Sequence, residues 1–376
     1  MTRDVVRAPN HLGDLVMALP AIEALQPADV LVPRWLAPVL ELAGLAGEAI
    51  AFERGVGGMP ALVRELRRRG YARGVLLAPS FSAALPLVLG GVRERRGART
   101  DGRGLLITEP VPDAAMAGLH RSATYHVLAV GSVPEPLPVP RLRVPEGLRA
   151  AWAALVAAEA PWRRTAERKS GGVGEGAPIE GVRRRSISHS PTLPLSPSAG
   201  DARAHGLTVG LFPGSNAPSR RWDAARYVEL ARRLAVAGAR VVVFGGGGER
   251  ELTARVAGDV AFDTGGRTEL PLLAAGLAAC DLLVTNDSGP MHLAAAVGTR
   301  TISLQGPSDP RRTRPLGAGH VLVQHAELPC VPCVLNECPR KGGGTFLPDA
   351  HGECLALITV DDLESAVRLA TAATRS

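Results

Sequence analysis

Short apolar runs alternate with segments of helical periodicity in the first part of the chain. The predicted elements are, in order, strand 5–8, helix 14–25, strand 30–33, helix 36–42, strand 49–52, helix 60–69 and strand 75–78. Apolar runs bounded by turns are typical of buried strands, whereas apolar positions three and four residues apart are typical of helices. Strands that alternate with helices indicate βαβ units on a parallel sheet.

The same alternation returns after residue 207. It predicts strands 208–212, 240–244, 282–285 and 301–304, with helices 222–237, 249–256, 270–279, 291–296 and 360–371. We therefore predict an α/β protein with two Rossmann-like domains, residues 1–162 and 207–376. Ligands of such sheets bind outside the carboxyl ends of the strands, so the cleft between two such halves is the natural site.

Residues 163–206 between the two predicted domains lack apolar periodicity. They are rich in Gly, Pro, Ser and Arg, with eight basic and four acidic side chains over 163–204. Such a segment buries too little apolar surface to offset its ordering entropy, so we expect a disordered linker or insertion. A basic binding tail is the alternative interpretation.

The amino-acid composition and the net charge exclude several classes of protein. Hydrophobic residues make up 46% and charged residues 21% of the 376 residues, which excludes a wholly disordered chain and a disulfide-dense miniature protein. The net charge is +7, and about half of it lies in residues 163–204. The remainder is close to neutral for its size, so a nucleic-acid partner is not expected.

The beginning of the chain and one long uncharged run bear on the cellular compartment. Charged side chains at Arg3, Asp4 and Arg7 argue against a secretory signal. Residues 74–92 are uncharged and reach the length of a membrane span, but they contain two prolines and a Gly-Gly pair. We predict a strand, a loop and a short apolar helix there, and a cytoplasmic chain with free thiols.

The first motif is PNHLGDLVMALPAIEAL, which begins at residue 9. A predicted strand runs into a turn, where Gly13 permits a tight bend and close approach of a ligand. Asp14 follows at the expected helix start. It is interpreted either as the N-cap of that helix or as a general base at the edge of the cleft.

The second motif, GLFPGSNAPSRRW, joins a strand to a helix through a Pro-Gly-Ser turn. The Ser215 hydroxyl, free backbone N–H groups and the Arg220–Arg221 pair are suited to phosphate oxygens. A solvated arginine pair at a helix start is the alternative. The loop is not a Walker A motif, because it lacks the GxxxxGK[ST] pattern.

The third motif is a run of four glycines, residues 245–248, between a strand and a helix. Such a run lets a nucleotide approach the backbone, although the pattern matches a dinucleotide fingerprint only in part. Glu249 follows and is interpreted either as an acceptor for ribose hydroxyls or as a favourable charge at a helix N-terminus.

The fourth motif, DLLVTNDSGPMHLAAAVGTRTISLQGPSDP, has the most specific pattern. A buried strand runs into Asp287, Ser288 and Gly289, and free N–H groups at the helix start form an anion site. Asp287 is suited to sugar hydroxyls, and His292 lies about one helical turn further on. A second turn, residues 306–308, follows the next strand. Three such turns at one sheet edge predict a nucleotide-diphosphate site.

Four of the five cysteines are clustered late in the chain, at Cys330, Cys333, Cys338 and Cys354. Four sulfurs at short spacings are able to bind zinc, but the spacing differs from the usual CxxC…CxxC pattern. Buried free thiols are the alternative, and no metal is assigned to the predicted active site.

Together these motifs resemble the ADP-heptose:lipopolysaccharide heptosyltransferases of glycosyltransferase family 9. The GDLVM and PAI block, PGS with RRW, NDSGPMHLAAA, GPSDP and the late cysteines are similar to the heptosyltransferase II branch. The resemblance covers the chain outside residues 163–206. It implies a GT-B fold, with two Rossmann-like domains facing each other across a cleft, and an inverting transfer without a metal or other cofactor.

The resemblance also implies roles for individual residues. Asp14 corresponds to the base that deprotonates the acceptor hydroxyl, with Asn10 and Gly13 on the acceptor side. The residues implied to bind the donor ADP-heptose are Ser215, Arg220, Glu249, Asp287, Ser288, Gly289 and His292. Arg220 stands where the family usually has lysine, and the geometries of the two groups differ.

Two other classes are consistent with the motifs. One is another GT-B nucleotide-sugar enzyme, either with a different sugar donor or a 2-epimerase. The other is a non-catalytic nucleotide-binding module, against which the presence of Asp14 argues. The resemblance implies a lipopolysaccharide-precursor acceptor, and peripheral contact with the cytoplasmic face of the inner membrane through the basic segment is compatible with catalysis.

Overall fold

The computed structural model describes residues 4–159, 206–339 and 352–372. Contacts divide the chain into two compact units. One comprises Met1–Pro145 with Arg311–Leu316, and the other comprises Glu146–Pro310 with Gly317–Ser376. Each unit is built on its own parallel sheet.

The sheet of the first unit has the strand order β3-β2-β1-β4-β5-β6 in the described residues. Its strands are β1 (Val5–Arg7), β2 (Asp29–Pro33), β3 (Ala49–Phe52), β4 (Arg73–Leu76), β5 (Glu94–Ala98) and β6 (Glu109–Val111). The helices are α1 (Leu12–Glu23), α2 (Ala37–Ala43), α3 (Met59–Arg69), α4 (Phe81–Leu89) and α5 (Arg121–Val130). The central register pairs Val6 with Val30 on one side and Val75 on the other.

The sheet of the second unit has the order β12-β11-β10-β7-β8-β9 in the described residues. Its strands are β7 (Thr208–Phe212), β8 (Arg240–Val243), β9 (Phe262–Asp263), β10 (Leu282–Asn286), β11 (Arg300–Leu304) and β12 (Val321–Val323). The longer helices are α6 (Glu146–Ala158), α7 (Ala224–Val236), α8 (Arg250–Ala257), α9 (Leu270–Ala278) and α10 (Gly289–Ala296). The later helices are α11 (Pro310–Thr313), α12 (Glu353–Ala356) and α13 (Val360–Ala372).

Counted from its own first strand, each sheet follows the succession 3-2-1-4-5-6 of a Rossmann fold. The predicted α/β class with two Rossmann-like domains is therefore confirmed. Helix α7 illustrates why the elements form. Asp223 accepts hydrogen bonds from the Ala225 and Arg226 N–H groups as N-cap, and Tyr227 and Leu230 are buried in the core.

Helix α6 belongs to the second unit, although it precedes the residues that the structure leaves undescribed. Trp152 on this helix is buried and stacks on Phe244 at 5.7 Å between ring centroids. A Cβ placed on Gly276 of α9 would lie 2.7 Å from the Trp152 ring, so the helices meet at a glycine. The compact units accordingly divide after Pro145, and the boundary that we predicted at residue 162 lies outside the described residues.

Most predicted elements are present within one or two residues, but several were missed. These are β5, β6, α5, α6, β9 and β12, together with the short helices α11 and α12. The uncharged run 74–92 forms β4, a loop and α4, as predicted. Nearly all of the expected disordered segment 163–206 lies outside the described residues. In the described part of the chain, no helix combines the length and hydropathy that crossing a membrane requires.

Candidate active site

Loops at the carboxyl ends of four adjacent strands of the second sheet contain most of the predicted donor-binding residues. The strands β11, β10, β7 and β8 are neighbours in that order. The loops comprise residues 305–309 after β11, 287–288 after β10, 213–215 after β7 and 244–249 after β8. Because parallel strands end at one edge, these loops lie side by side, as the sequence predicts.

Asn286 fixes the two central loops to each other. It is the last residue of β10 and is fully buried. Its amide nitrogen donates to the Pro213 carbonyl at 2.7 Å, and its Oδ1 accepts from the Trp222 backbone N–H at 3.1 Å and the Tyr227 hydroxyl at 3.3 Å. Every polar atom of this buried amide group therefore has a partner, which makes it a rigid support. Our sequence analysis assigned no role to Asn286.

Asp287 is the centre of a buried polar cluster. Its side chain is 3% exposed. Its Oδ2 accepts from the Arg220 Nη1 at 3.2 Å and from the Ser308 hydroxyl. The carboxylate thus joins the loops after β7, β10 and β11. Arg220 and Asp287, predicted to share a ligand, are in direct contact, whereas a contact between Asp287 and a sugar stays a prediction.

Two polar atoms beside this cluster are buried without a hydrogen-bond partner among the described residues. They are Arg220 Nε and Ser288 Oγ. Ser288 is the N-cap residue of α10, yet its side chain caps no backbone N–H. Leaving such groups unpaired is costly, and a bound anion with free oxygens would satisfy both. The predicted role of Ser288 and Gly289 at the start of α10 is consistent with this arrangement.

The glycine-rich loop contributes a carboxylate at the same edge. Glu249 Oε2 accepts from the Gly246 N–H at 2.8 Å. A Cβ placed on Gly214 would lie 1.7 Å from Glu249 Oε1, so the loops after β7 and β8 touch here through a glycine. Ser215 on the neighbouring turn is buried, and its hydroxyl accepts from the Ala217 N–H at 3.3 Å. Glu249 and Ser215 are therefore near each other, as predicted.

The basic pair precedes helix α7 and does not lie in its first turn, although Arg221 is exposed. Arg220 ends a short 3-10 segment, and Arg221 Nε donates to the Ser215 carbonyl at 2.7 Å. Helix α7 begins only at Ala224, with Asp223 as its N-cap. His292, predicted to lie near the ligand, is buried on α10.

Asp14 of the first unit is not an N-cap, and that alternative is wrong. Helix α1 begins at Leu12 with His11 as the cap residue. The Asp14 carboxylate instead accepts from the Tyr125 hydroxyl at 2.8 Å, and Arg121 Nε lies 3.8 Å away. The side chain is 32% exposed. A half-exposed carboxylate held by a neighbour is able to accept a proton from a substrate hydroxyl.

Tyr125 is a site residue that our sequence reasoning missed. Burial, followed by the nearby Asp14 charge, raises the pKa of the Tyr125 phenol well above its ordinary value. The phenol therefore remains protonated at neutral pH and donates its hydrogen to Asp14. Residues 121–130 end in the apolar run 127–130, but no helix was predicted there.

The predicted acceptor-side residues lie at the carboxyl edge of the first sheet. Gly13 is buried in the first turn of α1. Asn10 Oδ1 accepts from Arg7 Nη2 at 2.6 Å, and the Arg7 guanidinium lies 4.5 Å from the centroid of the Phe52 ring. Burial, with a smaller contribution from Arg54, lowers the pKa of Arg7 to about 9, so it remains a buried cation at neutral pH. Arg7 was not predicted as a site residue.

The late cysteines converge in the second unit. Cys330, Cys333, Cys338 and Cys354 line one cavity, and all four are free thiols. As the side chains lie, no group of three or more His, Cys, Asp or Glu residues in the described ranges is arranged to hold a metal ion.

The chain is similar in sequence to known glycosyltransferases. The model of glycosyltransferase family 9 (heptosyltransferase) matches residues 188–342. The chain is 27% identical to lipopolysaccharide heptosyltransferase 2 of Escherichia coli K12, over 83% of this chain and 85% of that protein. It is 29% identical to the protein of the same name from Salmonella typhimurium LT2, with the same coverage.

Solved structures support the fold. The E. coli ADP-heptose lps heptosyltransferase II structure matches with a TM-score of 0.73 and 23% identity, covering 100% of both chains. A glycosyltransferase family 9 structure from Veillonella parvula matches with a TM-score of 0.72 and 18% identity, over 98% of this chain and 97% of that chain. The predicted GT-B fold and the predicted family resemblance are confirmed.

Proposed function

We propose that this chain, which carries a glycosyltransferase family 9 domain and is a glycosyltransferase with the GT-B fold, transfers heptose from ADP-heptose to the inner core of lipopolysaccharide. The transfer inverts the anomeric centre and needs no metal at the reacting groups. The observation that supports it most is the cluster of Asp287, Arg220 and Ser308 beside the start of α10, where Arg220 Nε and Ser288 Oγ lack partners.

The second unit binds and stabilises the diphosphate of the donor. In an inverting transfer the bond from the anomeric carbon to the diphosphate breaks, and negative charge grows on the departing ADP. The Arg220 guanidinium, the backbone N–H groups of Ser288 and Gly289 and the N-terminal end of α10 stabilise that charge. Asp287 acts mainly as a positioning residue, because it holds Arg220 at the sheet edge.

The first unit activates the acceptor. Asp14 takes the proton of the acceptor hydroxyl while that oxygen forms the new bond to the anomeric carbon. The Tyr125 hydroxyl holds one carboxylate oxygen at 2.8 Å, which leaves the other oxygen available to the acceptor. Glu249 binds the ribose hydroxyls of ADP at the edge of the second sheet.

The direct test is release of ADP from ADP-heptose, measured with and without a heptose-bearing lipopolysaccharide acceptor. In parallel, both reactions are repeated after brief exposure of the protein to chelator. We expect release that depends on the acceptor and is unchanged by chelator. Release that is lost at once with chelator would contradict the metal-independent step.

Three outcomes of the same assay would favour the other classes. If ADP-heptose binds without turnover while other nucleotide sugars are consumed, the enzyme uses a different donor. Conversion of the nucleotide sugar without any acceptor would indicate an epimerase. Nucleotide binding without any turnover would indicate a non-catalytic module.

The basic segment provides a peripheral contact with the inner-membrane surface. Residues 163–204 carry eight basic and four acidic side chains, and this excess of positive charge is attracted to anionic headgroups. We expect replacement of residues 163–206 by a short Gly-Ser linker to lower sedimentation with phosphatidylglycerol vesicles severalfold, while turnover of a water-soluble acceptor stays within about twofold. Unchanged sedimentation would contradict this contact. Vesicles of phosphatidylcholine alone are the control.

A further inference from the structure

The cysteine cavity lies against the donor-binding loops, although none of its four thiols has a part in the transfer. It is lined by Cys330, Cys333, Cys338 and Cys354 together with Ser219 and Pro307. Ser219 precedes Arg220, and Pro307 precedes Ser308. Both of those following residues contact Asp287. A group that links the four cysteines therefore also fixes the ends of two loops of the donor site.

The loop that carries three of the cysteines makes specific hydrogen bonds to these donor-site segments. The Ser219 hydroxyl donates to the Leu335 carbonyl at 2.6 Å, and the Ser219 N–H donates to the Asn336 carbonyl at 3.2 Å. The Val334 N–H donates to the Pro307 carbonyl at 2.8 Å. The loop is thus part of the structure that positions Arg220 and Ser308.

Hydrophobic burial accounts poorly for the order of this loop. Residues 324–339 form no helix or strand. Leu328 and Val331 pack against the core, but Val334 and Leu335 beyond them are 53% and 46% exposed. Val334 also has a φ of +52°, a conformation that is costly for a β-branched residue. Hydrophobic burial therefore contributes little to holding the part of the loop that follows Val331.

The four thiols line one cavity, although as the side chains lie they are not arranged to hold a metal ion. Cys330 and Cys333 are separated by two residues, and Cys338 and Cys354 join them at the same cavity. A Cβ placed on Gly352 would lie 3.1 Å from Cys338 Sγ and 3.5 Å from Cys354 Sγ, so these two sulfurs flank one backbone position. The fifth cysteine, Cys280, donates instead to the Gly276 carbonyl in another part of the unit.

We infer that Cys330, Cys333, Cys338 and Cys354 form a four-thiolate site for zinc or iron, which fastens the 330–339 loop to the donor-binding loops. Thiolate ligands select these metals over magnesium or calcium. Binding requires the sulfurs to turn toward the centre of the cavity, and a change of χ1 rotamer is the motion that moves a cysteine sulfur. Each thiol that binds releases one proton to solvent.

The site is structural. Four protein ligands complete the tetrahedral shell of the metal and leave no open position for a substrate. The metal therefore takes no part in the displacement, and this inference stands apart from the proposed metal-independent transfer.

The test is the metal content of the full chain, purified under reducing, oxygen-free conditions without chelator. Inductively coupled plasma mass spectrometry quantifies zinc and iron separately in the same sample. We expect about one metal ion per chain in the unmodified protein and in the control Cys280→Ser, whose thiol lies outside the cavity. In Cys333→Ser and Cys338→Ser we expect a loss of about tenfold or more. Equal metal in all four proteins, or a disulfide among the four cysteines, would overturn the assignment.

A second measurement keeps the test valid if the metal is lost during purification or if the variants do not fold. The unmodified, metal-free chain is mixed with Zn²⁺ and a coloured zinc indicator, and thiol alkylation is followed in parallel. The site should withdraw one equivalent of zinc from the indicator and protect four thiols from alkylation. A folded, reduced chain that takes no zinc from the indicator would refute the site. Neither readout requires donor, acceptor or turnover, so failure of the proposed function would not affect it.

Discussion

At the scale of single residues, two of the three carboxylates named by the sequence motifs, Asp14 and Asp287, have opposite environments. Asp287 is almost fully buried, and its carboxylate accepts hydrogen bonds from Arg220 and Ser308. Asp14 is about one-third exposed and is held by the Tyr125 hydroxyl. A buried, paired carboxylate organises its neighbours, whereas a carboxylate open to solvent is able to exchange a proton with a substrate. This difference supports Asp14 as the proposed base.

Asp14→Asn removes the basic oxygen and keeps the shape of the side chain. We expect kcat to fall by about a hundredfold or more, because general bases contribute on that order, while the Kd for ADP changes by less than about twofold. Steady-state kinetics and calorimetric titration with ADP measure the two quantities. Asp113→Asn, an exposed change in the same unit, is the control. A large loss of ADP affinity with unchanged kcat would remove Asp14 from the role of base.

Tyr125→Phe keeps the buried ring and removes the hydroxyl that holds Asp14. We expect kcat to fall by about tenfold, which corresponds to about 1.4 kcal/mol, with the KM for the donor unchanged. Burial raises the pKa of this phenol, so the unmodified enzyme should lose no activity through its ionisation between neutral pH and pH 10. A pH profile of kcat in both proteins checks this. An alkaline fall in rate below pH 10 that Tyr125→Phe abolishes would contradict the account.

At the scale of elements, the loops after β7, β10 and β11 are joined at Asp287, which accepts hydrogen bonds from Arg220 and Ser308. Arg220→Ala leaves the buried Asp287 carboxylate without its cation. We expect the Kd for ADP to rise by about tenfold to a hundredfold, since charge-assisted hydrogen bonds are worth about 1.5–3 kcal/mol. Calorimetric titration with ADP measures the change. Arg232→Ala, an exposed arginine on α7, is the control and should leave the Kd as it was. Equal affinities in the two variants would separate Arg220 from the donor.

The contact between α6 and α9 depends on a glycine, and this allows a stability prediction. Gly276→Ala places a methyl group against the Trp152 and Phe244 rings. We expect a loss of about 1–3 kcal/mol in the free energy of unfolding, as overpacking of a core usually costs. Gly147→Ala on α6 meets nothing within 4 Å and is the matched control. Calorimetric unfolding of both variants gives the comparison, and a Gly276→Ala protein as stable as the control would contradict the described packing.

Most elements near the donor site were predictable because they alternate in the regular way of βα units. Those missed have a physical reason. In β5 the sequence reads ERRGA, and its arginines are satisfied by carbonyls rather than by burial in an apolar core. Arg95 Nε donates to the Leu106 carbonyl at 2.6 Å, and Arg96 Nε donates to the Leu128 carbonyl at 2.8 Å. A strand of this kind has no apolar run, so hydrophobic periodicity does not detect it.

The site residues were predictable to the extent that they lie in motifs. Asp14, Arg220 and Asp287 each follow a recognisable strand end. Tyr125 and Asn286 depend on contacts across the fold, to Asp14 and to Pro213 respectively, and the local sequence carries no signal of either contact.

At the scale of the whole molecule, the proposed function gives one role in the glycosyl transfer to each of two units with the same strand succession. The second contains the predicted diphosphate site and the first contains the predicted base. The similarity to lipopolysaccharide heptosyltransferases extends over 83% of the chain and thus includes both units. The proposed transfer needs both, because in it departure of ADP and activation of the acceptor occur in one displacement.

Mass spectrometry of the acceptor after incubation with ADP-heptose tests this account most directly. The account predicts that a heptose-bearing lipopolysaccharide acceptor gains the mass of one heptose residue for each ADP released, and that Asp14→Asn abolishes both together. ADP released while the acceptor keeps its mass, or an acceptor that gains mass equally well in the Asp14→Asn protein, would contradict it.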